Sequence, residues 1–233
     1  MHDNLTSLLR LQQFADSALP IGGAAHSFGL ESLVAAGLLD TDGIERFLFD
    51  YLEEAGMLEA AYCAASCQFG RVSAGEPAFD HWLALNIELG ARKLTRESRE
   101  ASASMGRRFL ELAARVSDLA PLHSAADRVE RSGTQVQLAP CFGLVAGPTG
   151  IEPELASAAY LQQSITTLVS CCQRLLPLGQ TRAQEILWQL KLAIACTARH
   201  AAATSPDRLS CFTPMLDIAS ARHPTLPTRL FIS

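Results

Sequence analysis

The feature that most constrains this chain is its excess of helix-forming residues over β-branched ones. It contains 36 Ala and 35 Leu but only 9 Ile and 7 Val. Alanine and leucine lose little conformational freedom on entering a helix, whereas β-branched side chains favour strands. We therefore predict an all-α fold.

Four long segments carry the apolar period of an amphipathic helix: 41–62, 96–116, 154–176 and 181–197. Local signals predict several of their ends. Asp42 followed by Glu45 offers a cap and an acid in the first turn. Pro153 suits a helix start and Pro177 a helix stop. Thr181 begins a Thr-x-x-Gln capping box that predicts the start of the next helix.

A length of 233 residues suits a single domain, and we expect residues 1–233 to form one bundle of about eight to ten helices. Residues 1–5 are expected to be flexible. Residues 204–233 contain four prolines, so we expect them to form an extended tail after one short turn.

Composition also limits the function. Charged residues make up 18% of the chain, hydrophobic residues 48%, and the net charge is −5. An acidic chain lacks the basic footprint of a nucleic-acid-binding protein, so a DNA regulator is disfavoured. There is no secretory leader and no apolar run of about 18 residues, and the seven cysteines indicate reduced thiols, so we expect a soluble cytoplasmic protein. A surface short of charge indicates a subunit that hides part of its exterior.

The basic residues of segment 92–108 alternate with Glu97 and Glu100, which is typical of a solvated helix face rather than a binding patch. Motifs for catalysis or nucleotide binding are missing: the chain has no phosphate loop, dinucleotide fingerprint, nucleophile elbow or zinc-binding helix motif. Gly143, Gly147 and Gly150 lack the lysine and strand of a phosphate cradle and indicate a helix end and a turn. We assign no catalytic residue, metal ligand or cofactor.

One alternative stays open. Cys63 and Cys67 stand four residues apart, so both thiols could face one metal ion from a helix, although such cysteines more often serve in packing. The six histidines have no paired metal spacing and lie at positions 2, 26, 81, 123, 200 and 223. A helical enzyme or metal-binding protein using these side chains is the competing hypothesis.

Three segments differ from the helices around them. Residues 19–31 read as a Pro/Gly turn that runs into a helix, and residues 174–180 read as a sharp corner. The chain ends in Arg229-Leu230-Phe231-Ile232-Ser233 after a proline-rich stretch. An apolar end on a flexible strap must dock on its own body or on a partner.

Together with a central stretch, these segments resemble the urease accessory protein F (UreF) family. The matching residues are Leu19-Pro20-Ile21-Gly22-Gly23 with Ser27, Gly29, Leu30 and Glu31; Leu94 to Ser102 with Met105-Gly106-Arg107; Arg174 to Gln180; and Pro214, Asp217 to Ser220, Arg222, His223, Arg229 to Phe231 and Ser233. The match is collinear over nearly the whole chain. Ala24 and His26 stand where the family usually has aromatic residues, and Pro224 where it has Glu.

The resemblance implies an all-α homodimer that performs no catalysis itself. Its relatives act in the cytoplasm as scaffolds of urease maturation, joining the accessory protein D (also called H) and the GTPase accessory protein G to deliver nickel to the urease apoenzyme. We expect the matching segments to bind these partners through Gly22, Gly23, His26, Ser27, Gly29, Glu31, Arg174, Pro177, Leu178, Gly179, Gln180, Arg222, His223, Arg229, Leu230 and Phe231.

Two of these residues have competing interpretations. Glu31, near the start of a short helix, is either a cap partner or an interface anchor. Arg174 either interacts with the last carbonyls of its helix or reaches the GTPase site as an activating arginine, and the first is the more common role.

Overall fold

The computed structural model describes residues 4–71 and 76–233. Its helices are α1 Asn4–Phe14, α2 Leu30–Ala35, α3 Ile44–Tyr51, α4 Met57–Arg71, α5 Glu76–Arg92, α6 Arg96–Ser117, α7 Ala120–Ser132, α8 Leu138–Ala146, α9 Pro153–Leu175, α10 Gln180–Gln189, α11 Lys191–Ala203 and α12 Pro214–Arg222. A π-helical turn, Leu52–Gly56, joins α3 to α4. The described residues contain no strand, which confirms the all-α prediction. The short helices bring the number within this part of the chain slightly above the eight to ten expected.

The centre of the bundle is the contact between α4 and α8. Every residue of α8 is buried, and α4 buries one long face against it. Helices α6 and α9 pack around this pair, and α11 packs on α4 and α9. A helix buried on all sides must be apolar all round, which explains why α8 lacks the alternation of polar and apolar faces seen in its neighbours.

Glycines allow α4 and α8 to approach backbone to backbone. A Cβ on Gly143 would overlap the carbonyl oxygen of Cys63, and a Cβ on Gly70 would lie 2.7 Å from the Leu144 carbonyl oxygen. Gly143 therefore lies inside a helix, at its closest contact with another, and the sequence-based expectation of a helix end there is wrong. Gly147 and Gly150 do lie in the turn that follows α8.

A row of aromatic rings ties four helices together. The Phe14 and Phe109 ring centroids are 5.9 Å apart, those of Phe109 and Phe142 are 5.4 Å apart, and those of Phe142 and Tyr160 are 5.8 Å apart. These rings belong to α1, α6, α8 and α9. Edge-on and offset contacts of this kind add about 0.5–1.5 kcal/mol each to the effect of burial.

The predicted helix ends are confirmed where proline sets them. Pro153 is the first residue of α9, and the helix ends before Pro177. The predicted capping residues are wrong in two places. Gly43 is the N-cap of α3 and no side chain caps the helix; the Asp40 side chain instead accepts hydrogen bonds from the amides of Asp42 and Gly43 in the turn before it.

The expected helix over 181–197 is also divided. It begins at Gln180 after Gly179, with no side-chain cap from Thr181, and it breaks at Leu190 between α10 and α11. The break turns α11 onto α9. With the break, α10 and α11 each bury their own apolar residues, and both helices contact α9.

The C-terminal part is more ordered than the sequence suggested. Pro214 opens α12 as its first residue, a position that tolerates proline because its N–H has no helical partner. Of the N-terminal stretch expected to be flexible, residues 1–3, with His2, lie outside the described residues, and Asn4 begins α1. None of the described helices is long and apolar enough to cross a membrane.

The glycine contact in the core makes a testable prediction. Gly143→Ala should lower the free energy of unfolding by about 3 kcal/mol, because the added methyl group forces α4 and α8 apart. The measurement is urea denaturation followed by circular dichroism. Gly179→Ala is the matched control, since a Cβ there meets nothing within 4 Å. Equal denaturation midpoints for the two variants would contradict the close contact.

Candidate protein-interaction site

The C-terminal residues 223–233, called the tail from here on, fold back onto the turn formed by residues 22–31. The amide of Ile232 donates to the Ala25 carbonyl oxygen at 2.8 Å, and the Ser27 amide donates to the Ser233 carbonyl oxygen. The two segments stand at opposite ends of the sequence and form one surface in the fold. The strap expected from the sequence therefore docks on its own body.

Glu31, in the first turn of α2, is the centre of this contact. Its Oε1 accepts from the Leu230 amide at 2.6 Å, and its Oε2 lies 2.7 Å from His223 Nε2 and 3.3 Å from the Phe231 amide nitrogen. The side chain of Glu31 is 9% exposed and that of His223 is 1% exposed. Glu31 is thus a buried anchor of the chain's own tail, which neither sequence-based interpretation described.

Hydrogen bonds decide the charge of this carboxyl. Burial by itself would raise the pKa of Glu31, but the bonds from the Leu230 amide, His223 and the Phe231 amide outweigh it and hold the pKa below the ordinary value of 4.5. The group is therefore an ionised carboxylate at neutral pH. A carboxylate only accepts, so His223 carries a proton on Nε2 and donates it to Glu31.

His26 holds the other end of the tail. Its Nδ1 lies 2.6 Å from the Ser233 hydroxyl oxygen. Burial and the positive charge of Arg108 lower the pKa of His26 from 6.5, so its ring is neutral at neutral pH. The carbonyl oxygen of His26 accepts from the Cys171 thiol at 3.2 Å. Burial raises the pKa of that thiol to about 12, which keeps it protonated as a donor.

Arg174 joins the turn to the tail. Its guanidinium donates to the Ala24 carbonyl oxygen at 2.5 Å and stacks over the Phe231 ring, 4.1 Å from the centroid. The same cation thus fixes the backbone of the turn and covers the buried aromatic side chain of the tail. The expected contact of Arg174 with the last carbonyls of its own helix is not among the hydrogen bonds of the described residues.

Two glycines explain the shape of the turn. Gly22 and Gly29 have φ of 91° and 86°, in the left-handed region that favours glycine. A Cβ on Gly29 would also lie 3.2 Å from the Leu216 carbonyl oxygen and 3.3 Å from the Ser220 amide nitrogen. Glycine at 29 lets α12 pack directly on the start of α2.

The outer side of this surface is apolar. Leu230 and Ile232 are 54% and 72% exposed, on either side of the buried Phe231. In and just before α12, Phe212, Met215 and Ile218 are also largely exposed. Large apolar side chains grouped along one segment are typical of a surface that a partner covers.

The corner 177–180 is a second exposed feature. Leu178 is buried and anchors it, while Pro177, Gly179 and Gln180 face solvent. Within the described residues no hydrogen bond joins this corner to the tail. It follows Arg174 along the chain and so lies at the same end of α9 as the turn.

The structure divides the expected site residues into two groups. Six of those named on the turn and tail are buried supports: His26, Ser27, Gly29, Glu31, His223 and Phe231 are covered, with Gly22 and Gly23 half-buried. The residues accessible to a partner are Arg174, Pro177, Gly179, Gln180, Arg222, Arg229 and Leu230. The sequence analysis named Ile232 and Ser233 as part of the apolar end that must dock, but it did not assign a role in this surface to Cys171, Met215 or Ile218.

The cysteine pair does not form a metal site. Cys63 and Cys67 are fully buried, and the Cys67 thiol donates to the Ile151 carbonyl oxygen at 3.4 Å. Burial raises the pKa of Cys67 to about 12, which opposes the thiolate a soft metal needs. Within the described ranges no three His, Cys, Asp or Glu side chains are grouped to hold a metal ion. Both cysteines belong to the packing between α4 and its neighbours.

The basic segment 92–108 behaves as the sequence predicted. Arg96 pairs with Glu100 and Arg107 with Glu111, each one helical turn apart on exposed surface. Exposed pairs of this kind contribute little to stability and are typical of a solvated helix face.

Acid should release the tail. The Glu31 pKa is lowered in the docked state, so its stabilising effect is complete above pH 4.5 and is lost as the pH falls through the lowered value. We expect the amide signals of Leu230 and Phe231 in NMR spectra to lose their hydrogen-bonded shifts over that range. In Glu31→Gln this acid step should be missing. Tail signals that respond to acid identically in wild type and Glu31→Gln would contradict the role of the carboxylate.

Comparison with known proteins gives a consistent match. The UreF family model matches residues 38–191, a range that lies between the turn and the tail. Full-length relatives extend the match over both. The chain is 32% identical to the urease accessory protein UreF of Paenarthrobacter aurescens over 233 residues, covering 98% of this chain and 99% of the relative. It is 33% identical to that of Nostoc sp. over 228 residues, covering 97% and 95%.

Proposed function

This chain belongs to the UreF family of urease accessory proteins, and from that membership we propose that it is a non-catalytic adaptor in the nickel-dependent maturation of urease. Its partners are the D/H-type accessory protein and the G-type GTPase, and through them the urease apoenzyme. It works as a homodimer. The nickel is cargo of the assembly, and the adaptor needs no cofactor of its own.

The observation that carries this proposal is the apolar surface of α12 and the tail. The segment uses its inner side to dock on the chain and leaves Met215, Ile218, Leu230 and Ile232 largely exposed. Exposed apolar side chains are unfavourable in water, and only 18% of this chain is charged. These side chains are therefore expected to be covered by another protein chain. We assign this face to binding of the D/H-type partner. The corner 177–180 is assigned to contacts with the other proteins of the assembly.

Nickel transfer can be coupled to GTP hydrolysis if the adaptor binds the nucleotide states of the GTPase with different affinities. An adaptor without a phosphate loop affects a GTPase by binding one of its nucleotide states more tightly than the other. All seven cysteines are free thiols, which supports a reducing cytoplasmic location shared with the urease apoenzyme.

Removal of the tail tests the proposed surface. A chain lacking residues 223–233 should keep its far-ultraviolet circular dichroism but lose capture of the D/H-type partner, because the outward Leu230 and Ile232 go with it. A matched variant, Leu230→Ser with Ile232→Ser, keeps the inner contacts and should weaken binding by about tenfold or more. Capture of the partner by the truncated chain at wild-type strength would disprove the assignment.

Arg174 tests the alternative of an activating arginine. Its guanidinium is already bound to the turn and the tail, so Arg174→Ala should weaken assembly but leave GTP hydrolysis unchanged once the adaptor is saturating. An arginine finger would instead cost about a thousandfold or more in the rate at saturation. Single-turnover GTP hydrolysis against adaptor concentration separates the two.

The competing function makes its own prediction for purified protein. A metal-binding protein would hold a stoichiometric metal ion that Cys63→Ser removes, and elemental analysis measures it directly. The buried, protonated thiols support the adaptor.

A further inference from the structure

We propose that Glu31 is a positioning residue: it holds the tail in the one arrangement that the partner recognises, and it does not touch the partner. This inference rests on the proposed function, because it concerns the surface by which the adaptor captures the D/H-type protein. It changes the role expected for Glu31 from a direct contact to an internal latch.

The carboxylate is already occupied by donors of its own chain. Both oxygens accept hydrogen bonds from the tail, at 2.6 Å from the Leu230 amide and 2.7 Å from His223 Nε2, with the Phe231 amide at 3.3 Å. The residue is 7% exposed. A group that is buried and already bonded to three donors of its own chain acts through those donors.

Apart from Glu31, the tail is attached near its end: the Ile232 amide donates to Ala25, Ser233 bonds to Ser27 and His26, and Arg174 stacks over Phe231. Of its residues only His223 and Phe231 are buried, and both contact Glu31, one through its ring and the other through its amide. Those other contacts hold residues 231–233, whereas the Leu230 amide and the His223 ring donate their hydrogen bonds to Glu31. The part of the tail before Phe231 therefore depends on the polar contacts of Glu31.

The latch also sets which side chains face outward. Glu31 binds two consecutive amides, those of Leu230 and Phe231, so Phe231 turns inward under Arg174 while Leu230 and Ile232 turn outward. A slip of one residue would bury Leu230 and expose Phe231, because neighbouring residues of an extended segment face opposite sides. Glu31 thus fixes the register of the apolar surface at Leu230 and Phe231, in agreement with the backbone hydrogen bond from Ile232 to Ala25.

A latch of this kind has a quantitative consequence. When only a fraction of the chains has a docked tail, the apparent dissociation constant for the partner rises by the inverse of that fraction. Across a series of variants, the product of the apparent dissociation constant and the docked fraction should stay constant. A residue that contacts the partner directly would raise the constant with no change in docking.

The experiment compares wild type, Glu31→Gln and Glu31→Ala in the full-length chain. Hydrogen exchange at the amides of residues 230–232, followed by NMR, reports docking without any partner. Titration calorimetry with the D/H-type protein reports affinity, and thermal unfolding reports global stability. Glu45→Gln is the matched control: Glu45 is also a first-turn acid, pairs with Arg182 at 3.0 Å, and lies outside the tail contact.

We expect Glu31→Ala to lose tail protection by about a hundredfold and partner affinity by about tenfold or more, with Glu31→Gln between it and wild type. Glu45→Gln should match wild type in both. Protection lost with affinity unchanged, affinity lost with protection kept, or neither changed would each overturn the latch. If the wild-type chain itself fails to bind the D/H-type protein, the proposed function fails, while the exchange data still decide whether Glu31 holds the tail.

Discussion

The fold is organised around the contact between α4 and α8, whose backbones meet with no side chain between them at Gly143. At Gly143 the backbone of α8 lies against the carbonyl of Cys63 in α4, and no larger residue fits. That contact brings the helix axes close enough for α6 and α9 to cover both, and the aromatic row from Phe14 to Tyr160 completes the layer. Because α9 is held by this core at one end, its other end is a firm base for Arg174 and Cys171, the residues on which the turn and tail rest.

The all-α architecture could be predicted from composition and period because both are properties of neighbouring residues. Proline set the ends of α9 for the same reason, since its effect on the backbone is local. Capping was less predictable. Gly43 and Gly179, rather than Asp42 and Thr181, are the N-caps of α3 and α10, because the direction in which the preceding chain enters each helix depends on the rest of the fold. The break at Leu190 has the same origin, because it serves the packing of α11 on α9.

The candidate interaction surface contains contacts that the sequence could not predict. The resemblance named members of the turn and the tail, but it did not indicate that they bind each other. Glu31 and His223 are 192 residues apart, and no periodic or motif signal connects positions at that distance. As a result, polar residues of the motifs such as Glu31 and His223 are buried and hold the chain's own segments together. Apolar residues such as Ile232 form the accessible surface. Buried polar groups need partners, which is why these supports have specific identities.

The distance between the two halves of this surface also has a temporal consequence. The turn leaves the ribosome well before the tail, and with 192 residues between Glu31 and His223 the delay is about 10–40 s at ordinary rates of synthesis. During that interval Glu31 has no donors, and the surface made by the tail does not exist. A chain whose synthesis stops early therefore lacks the apolar surface that the tail completes.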